Sequence, residues 1–429
     1  MTLSPRIQEI TSRRLNDLVL PTGGWSSEAR SAALNRVQSL GLPSNRDEYW
    51  KFTPPETLTT AQVPPASLFV DVDESPVFGN IDRLKLVFVD GVFDAAASDQ
   101  LALENVTIER LGESKDRDDH WGREVYGVLE QSGQVPVARP LAALNTAFAT
   151  DGILIHVRGT PSKPINLVYV HSNETSDAIL HHVIKVNPGA ECTILESGPA
   201  AARFNKCMEI DIADGGALHH VRAQGRDHER RAATHMFARV AANALFKSFT
   251  LTVNGRLTRN EIFVELLGRN SMAHVAGACV GDGDFHHDDT VFVTHAAEDC
   301  KSRQVFKKVL RNGATGVFQG KILVKPDAQK TDGYQISQSL LLDGDSQFLA
   351  KPELEIYADD VACSHGSTSG AIDEGELFYL RARGIEQAEA TDLLTLAFLN
   401  EAVSEIDNEE LADEIQSRLA AWLMRHRPS

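Results

Sequence analysis

Apolar positions near the amino terminus recur at helical spacing. Leu3, Ile7, Ile10, Leu15 and Leu18 make one such run, and Pro21 with Gly23-Gly24 stops it. A second helix is predicted through Leu34, Val37 and Leu40, with Ser26 or Ser27 as its cap and Gly41 and Pro43 closing it. Residues 54–80 are rich in Pro and Thr and read as an irregular connector. Residues 84–93 alternate as a single strand. Residues 101–150 mix polar stretches with a short helical pattern and predict no clear element.

From about 152 to 372 the character changes. Short apolar or alternating runs recur at 153–157, 165–170, 182–186, 208–212, 246–253, 261–267, 290–294, 320–324 and 354–357, mostly separated by Gly, Asn, Asp or Pro. Strands this short and this frequent predict a sandwich, a barrel or a β-solenoid, and the pattern does not choose among them. The pairs Asp151-Gly152 and Asn254-Gly255 predict hairpins. After Ile372 the period becomes helical again. One helix is predicted over 374–383, ended by Gly384. A second covers 386–406 with Leu393, Leu394, Ala397 and Phe398 on one side. The last carries Leu411, Ile415, Leu419, Trp422 and Leu423 on one face, with Asp407 or Asn408 as its cap.

Charge narrows the function classes. The 429 residues carry a formal net charge of −18, which repels phosphate backbones and anionic lipid surfaces alike, so neither nucleic acid nor membrane is expected as a partner. The first residues hold no continuous apolar stretch of secretory type, and no run approaches the roughly 18 apolar residues of a membrane span, so a cytoplasmic protein is expected. The five cysteines, Cys192, Cys207, Cys279, Cys300 and Cys363, are scattered and form no CxxC pair, which excludes a disulfide framework and a zinc ribbon.

Several motifs approach known chemistry and fall short. Residues 315–322 run like a phosphate loop, but Thr315 replaces the first Gly and Ile322 the final hydroxyl. Gly281-Asp-Gly283 lacks the third Gly of a dinucleotide loop. Gly366-Ser-Thr-Ser-Gly370 has Thr368 where a nucleophile elbow needs Ser. His286, His287, Asp288, Asp289, His295 and Cys300 are metal-ligand types, but in a strand Asp289, Val291, Val293 and His295 share a face that reads as core. The remaining candidate is Asp359-Asp360-Val-Ala-Cys363-Ser-His365-Gly366. In an extended segment Cys363 and His365 project from one face, and a thiolate with an imidazole suits iron, zinc or copper. Two ligands do not complete a tetrahedral site.

At this block the chain becomes recognisable. Residues 351–366 (KPELEIYADDVACSHG), with Leu377-Phe-Tyr-Leu-Arg-Ala-Arg-Gly384, Phe318-Gln-Gly-Lys-Ile, Ala328-Gln-Lys-Thr-Asp, Glu48-Tyr-Trp50-Lys51-Phe52-Thr53 and Leu257-Thr-Arg259-Asn260, resemble the SufB/SufD family of iron–sulfur cluster assembly scaffolds. The resemblance implies a mainly β fold: a right-handed parallel β-helix over 151–372, an amino-terminal helical region and connector with a short strand over 1–150, and a carboxy-terminal helical domain over 373–429. It also implies a subunit that is not itself an enzyme. That subunit pairs with a SufB-like paralogue, docks a SufC-like ATPase through its last helices, and forms a homodimer when alone. No cofactor would be tightly bound to the chain alone. A transient iron–sulfur cluster would form at the paralogue interface, with His365 and Cys363 as metal ligands. From their place in the chain, Asp359 and Asp360 are expected to be carboxylates orienting the imidazole. Two departures qualify the match: Ala362 stands where such proteins often carry Lys, and Ser337 and Ser339 stand where the SufB branch carries its cluster cysteine. Rival readings are a β-helix enzyme acting on polysaccharide, weakened by 7% aromatic content, and a self-paired regulatory homodimer.

Overall fold

A computed structural model describes residues 3–68, 75–114, 117–224 and 229–427; residues 69–74 of the 54–80 connector lie outside it. Helices α1 (Pro5–Asn16) and α2 (Ser27–Leu40) come first, followed by a single turn, α3 (Glu56–Thr59). The Ser4 hydroxyl caps α1 by accepting from the Ile7 N–H, and Pro5 occupies its first turn. Ser26 stands before α2 but does not cap it with its side chain, which accepts from Arg30 Nε at 3.1 Å instead. Gly41, at φ +70°, ends that helix.

The single strand expected over 84–93 is a hairpin. β1 (Leu84–Val89) and β2 (Val92–Asp94) pair antiparallel around Asp90 and Gly91, both at positive φ. Residues 101–150 supply β3 (Ala102–Leu103), β4 (Val106–Arg110), α4 (Val128–Ser132) and α5 (Pro140–Phe148).

From there the chain winds as a parallel solenoid. One sheet stacks β5 (Ile153–Val157), β7 (Asp177–Val186), β9 (Arg203–Ile212), β11 (Arg231–Val240), β13 (Leu257–Leu266), β15 (His286–His295), β17 (Thr315–Val324) and β19 (Gln347–Ile356). The other stacks β6 (Ile165–Val170), β8 (Glu191–Ser197), β10 (Ala217–Gln224), β12 (Leu245–Val253), β14 (Met272–Asp282), β16 (Lys301–Arg311), β18 (Asp332–Leu341) and β20 (Ala362–Gly370). Consecutive strands alternate between the sheets, and each pairs in parallel with the strand one turn away. Both sheets begin before residue 151: β1 pairs with β6, and β4 with β5. The Asp-Gly and Asn-Gly pairs inside the solenoid make no hairpins. Asp151 bridges Leu180 in parallel, and Asn254-Gly255 turns the corner from β12 to β13, which lie in different sheets.

Three apolar layers hold this together. The bore between the sheets is filled by residues such as Ile155, Ile184, Met208, Phe246, Val264 and Val293. Trp25, Val37, Tyr126, Leu144 and their neighbours cover the outer face of the β5–β19 sheet. The outer face of the other sheet is covered by α7 (Gln387–Val403) and α8 (Glu409–Arg425), while α6 (Glu374–Arg381) leads into them and lies against α7. With both faces buried, these are parallel sheets in their usual setting. Asn408 caps α8, accepting from the Leu411 N–H at 3.0 Å.

The stripe Leu411, Ile415, Leu419, Trp422 and Leu423 is buried against Val221, Leu251, Ala278 and Val309 of the chain's own sheet. The face expected on α7 holds only in part. Phe398 packs on the sheet and Leu394 is half-buried, but Leu393 is 44% exposed and Ala397 exposed, while Ala390, Thr395, Leu399, Ala402 and Val403 turn inward. Apolar residues lie nearly all round α7, so packing and not spacing selected its buried side. No helix among the described residues is long and apolar enough to cross a membrane.

Candidate functional site

The last turn of the solenoid has neighbours on one side only. β19 and β20 are the final strands of their sheets, so the bore ends open. Alternation along β18 turns Gly333, Gln335, Ser337 and Ser339 inward, all of them buried. β20 pairs with it in register, Cys363 on Gly333 and His365 on Gln335. The Ser337 hydroxyl donates to Ser367 at 3.1 Å, and Ser339 to Ser369 at 2.9 Å. The inner row of the edge strand is therefore Cys363, His365, Ser367 and Ser369, an all-polar row at the mouth of the bore.

Cys363 is half-buried. It packs with Ile322, Val324, Ala328 and Ala358 above Gly333, where a Cβ would lie 3.2 Å from its sulfur. Burial pushes the thiol pKa up; a backbone hydrogen bond from Gly333 opposes the shift and Asp332 adds to it. His365 is exposed on the same side of the strand. The expected second carboxylates are not beside it. Asp360 uses its backbone, donating to Gln329 Oε1 and accepting from the Lys330 N–H. Asp359 and Asp360 lie in a bend ahead of β20, which begins at Ala362. No hydrogen bond among the described residues joins Asp359 or Asp360 to the imidazole. No group of three or more His, Cys, Asp or Glu among those residues is arranged to hold a metal, so no third side chain of these types joins Cys363 and His365.

The other histidine cluster is split by strand alternation. His287 and Asp289 face the bore, where Lys308 Nζ lies 2.9 Å from His287 Nδ1 and 2.5 Å from Asp289 Oδ2. His295 shares that side and bonds Ser302 at 2.8 Å. His286 and Asp288 face outward, and the Thr53 hydroxyl bridges them. Cys300 is buried at a corner, 3.2 Å from the Ser271 hydroxyl.

Two motifs distant in sequence meet beside this outer face. Arg259 stacks on Trp50 at 4.1 Å, donates to the Tyr49 carbonyl at 2.9 Å and to Glu261 at 2.7 Å, and also bonds Asp288. Tyr49 reaches Glu353, and Lys351 bonds Glu48 at 2.6 Å. The segment around Trp50 thus clamps β19, the strand across the bore from β20.

The carboxy-terminal helices present a second surface. α6 buries no residue, and Phe378 and Tyr379 are 74% and 56% exposed; Leu393 on α7 is exposed as well. Sequence reasoning did not single out these aromatics or the inward Gln335. The alternation of Gln335, Ser337 and Ser339 is visible in the chain, but only the register with β20 gives it meaning.

Comparison with known proteins agrees with this architecture. Residues 169–398 match the family model "SUF system FeS cluster assembly, SufBD core domain", and residues 25–164 match "SufBD protein N-terminal region". The iron–sulfur cluster assembly protein SufD of Escherichia coli is 28% identical over 399 residues, 91% of each chain. An iron–sulfur cluster assembly SufBD family protein of Synechocystis is 26% identical over 402 residues, 88% of this chain and 86% of that one. SufD of Bacillus subtilis is 24% identical over 287 residues, 65% of each. With an amino-terminal layer and a solenoid core that both match, the chain belongs to the SufB/SufD family of iron–sulfur cluster assembly scaffolds.

Proposed function

We propose that this chain is the SufD-type half of a two-scaffold complex in the cytoplasm. It pairs through its open solenoid end with a SufB-like paralogue, and its α6–α7 surface docks a SufC-like ATPase. The observation that carries the reading is the inner row of β20. Cys363 and His365 stand side by side where the next turn of a solenoid would stack, and two ligands invite completion by a second chain. Imidazole replaces thiolate as an iron ligand in clusters of the Rieske type. Here the cluster is cargo, present during assembly and passed on. Burial raises the Cys363 thiol pKa and so disfavours the thiolate that a metal takes, which leaves His365 as the more important ligand. Five free thiols, four of them buried, fit a reducing compartment. The chain performs no turnover by itself, and steady ATP hydrolysis by a preparation free of the ATPase would count against the scaffold role.

The test is reconstitution with the two partners. His365→Ala should assemble normally and lose cluster formation, and Cys363→Ser should show a smaller loss. Full cluster yield in a correctly assembled His365→Ala complex would overturn the ligand role.

A further inference from the structure

Behind His365 the inner row of its sheet continues with Gln335 on β18 and Gln304 on β16, all three in register. Neighbouring strands lie about 4.8 Å apart, so the side chains form a ladder running into the bore. Both glutamines are fully buried, and all four of their side-chain amide atoms lack a hydrogen-bond partner. One turn further in, the same register position holds Val275, and Val291 stands in the facing sheet, so the polar stretch ends against apolar side chains. Gly320 occupies the next position after Val291, and a Cβ there would collide with the Gln335 amide. The missing side chain is what leaves the amide its room. The outcome is a buried polar ladder, closed at its inner end by apolar side chains, whose outermost rung is His365.

Buried amides without partners are uncommon in native cores, and two of them stacked behind an exposed imidazole need an explanation. Metal-bound histidines donate their second ring N–H to a carbonyl or carboxylate, which fixes the tautomer and aims the other nitrogen at the metal. Among the described residues, neither Asp359 nor Asp360 bonds the imidazole, and Asp360 is held through its backbone by Gln329 and Lys330. We infer that Gln335 is the positioning residue for His365: once a partner chain covers the open end, the Gln335 carbonyl accepts the imidazole N–H turned away from the metal. Gln304 supplies the next acceptor for the Gln335 NH2 group, which orients the amide carbonyl toward the mouth. This inference rests on His365 acting as a ligand.

The experiment uses the full chain, free and reconstituted with a SufB-like paralogue and a SufC-like ATPase, in four variants: Gln335→Leu, Gln335→Glu, His365→Ala and the Gln335→Leu/His365→Ala double. Leu removes amide atoms that have no partner in the free chain, so free Gln335→Leu should melt at or above the wild-type temperature. In the complex it should assemble, yet lower cluster yield at least fivefold and change the nitrogen coupling of the reduced cluster in pulsed EPR. The double variant should be no worse than His365→Ala, and Gln335→Glu, which keeps an acceptor, should recover at least half the yield. Full yield and unchanged nitrogen coupling in Gln335→Leu, with His365→Ala defective, would overturn the role of Gln335 and leave the ligand role standing. Full yield in His365→Ala would overturn both. A lowered melting temperature in Gln335→Leu without recovery by Gln335→Glu would reassign Gln335 to folding and also overturn the inference.

Discussion

Buried histidines set the behaviour of single residues in acid. His182 accepts from the Ile153 N–H through Nδ1 at 3.0 Å, and its Nε2 lies 3.0 Å from the Tyr169 hydroxyl. The accepting nitrogen holds the ring neutral, because a proton there would face the Ile153 donor. Burial, the largest cause, lowers the pKa of His182 to about 3 and that of His295 to about 4. Each folded value lies below the ordinary 6.5, so the unfolded chain binds protons that the folded chain refuses. Their contribution is therefore complete above pH 6.5 and declines as pH falls toward the folded values. The two together should cost on the order of 4 kcal/mol at pH 5. Chemical denaturation at pH 7 and pH 5 measures this, and equal stability at both would contradict the buried neutral assignment. Arg259 makes the opposite case. It is fully buried between Glu261 and Asp288, and it raises no desolvation problem only because both carboxylates meet it. Arg259→Leu strands the buried Asp288 without a cationic partner and leaves Glu261 only Arg139 and His235, so it should destabilise by about 3–5 kcal/mol, read as a lowered denaturation midpoint.

Among the elements, α6 and α8 separate binding from stability. The α8 stripe packs on the solenoid, so Leu419→Ala should cost about 2–5 kcal/mol through loss of buried apolar atoms and the cavity left behind. Phe378→Ala with Tyr379→Ala removes exposed rings and should leave the melting temperature within experimental error while abolishing capture of the SufC-like ATPase. Normal capture by that pair of substitutions would move the docking surface elsewhere. The same elements explain uneven legibility. Strands such as β5 and β6 stood out because they are nearly all apolar, whereas β10 and β20 carry His, Arg, Gln or Ser inward and resemble loops until a neighbouring strand satisfies them.

For the whole molecule the open end is the feature that bears on the proposed assembly. β19 and β20 leave a row of backbone groups without a neighbouring strand, and such edges pair with another chain. The purified chain should therefore show a dimer mass at micromolar concentration by light scattering, and an equimolar SufB-like paralogue should convert it to a mixed pair. A monomer mass that the paralogue leaves unchanged would remove the open end as the interface.

The sequence by itself determined the order of helix, strand-rich middle and helix, the helix boundaries at Gly41 and Asn408, and the placement of Cys363 and His365 on one side of a strand. These features depend on contacts a few residues apart, which spacing and residue type encode directly. Tertiary structure alone decided that the strands wind as a solenoid, because parallel pairing joins residues about one turn apart, such as Leu218 with Phe246, and leaves no local trace. It also decided that Asp151-Gly152 bridges and does not form a hairpin, that α7 buries Leu399 and not Leu393, and that Gln335 lies behind His365. In each of these the deciding neighbour is distant in the chain, and only the register of stacked strands or the packing of a helix on the sheet brings it within reach.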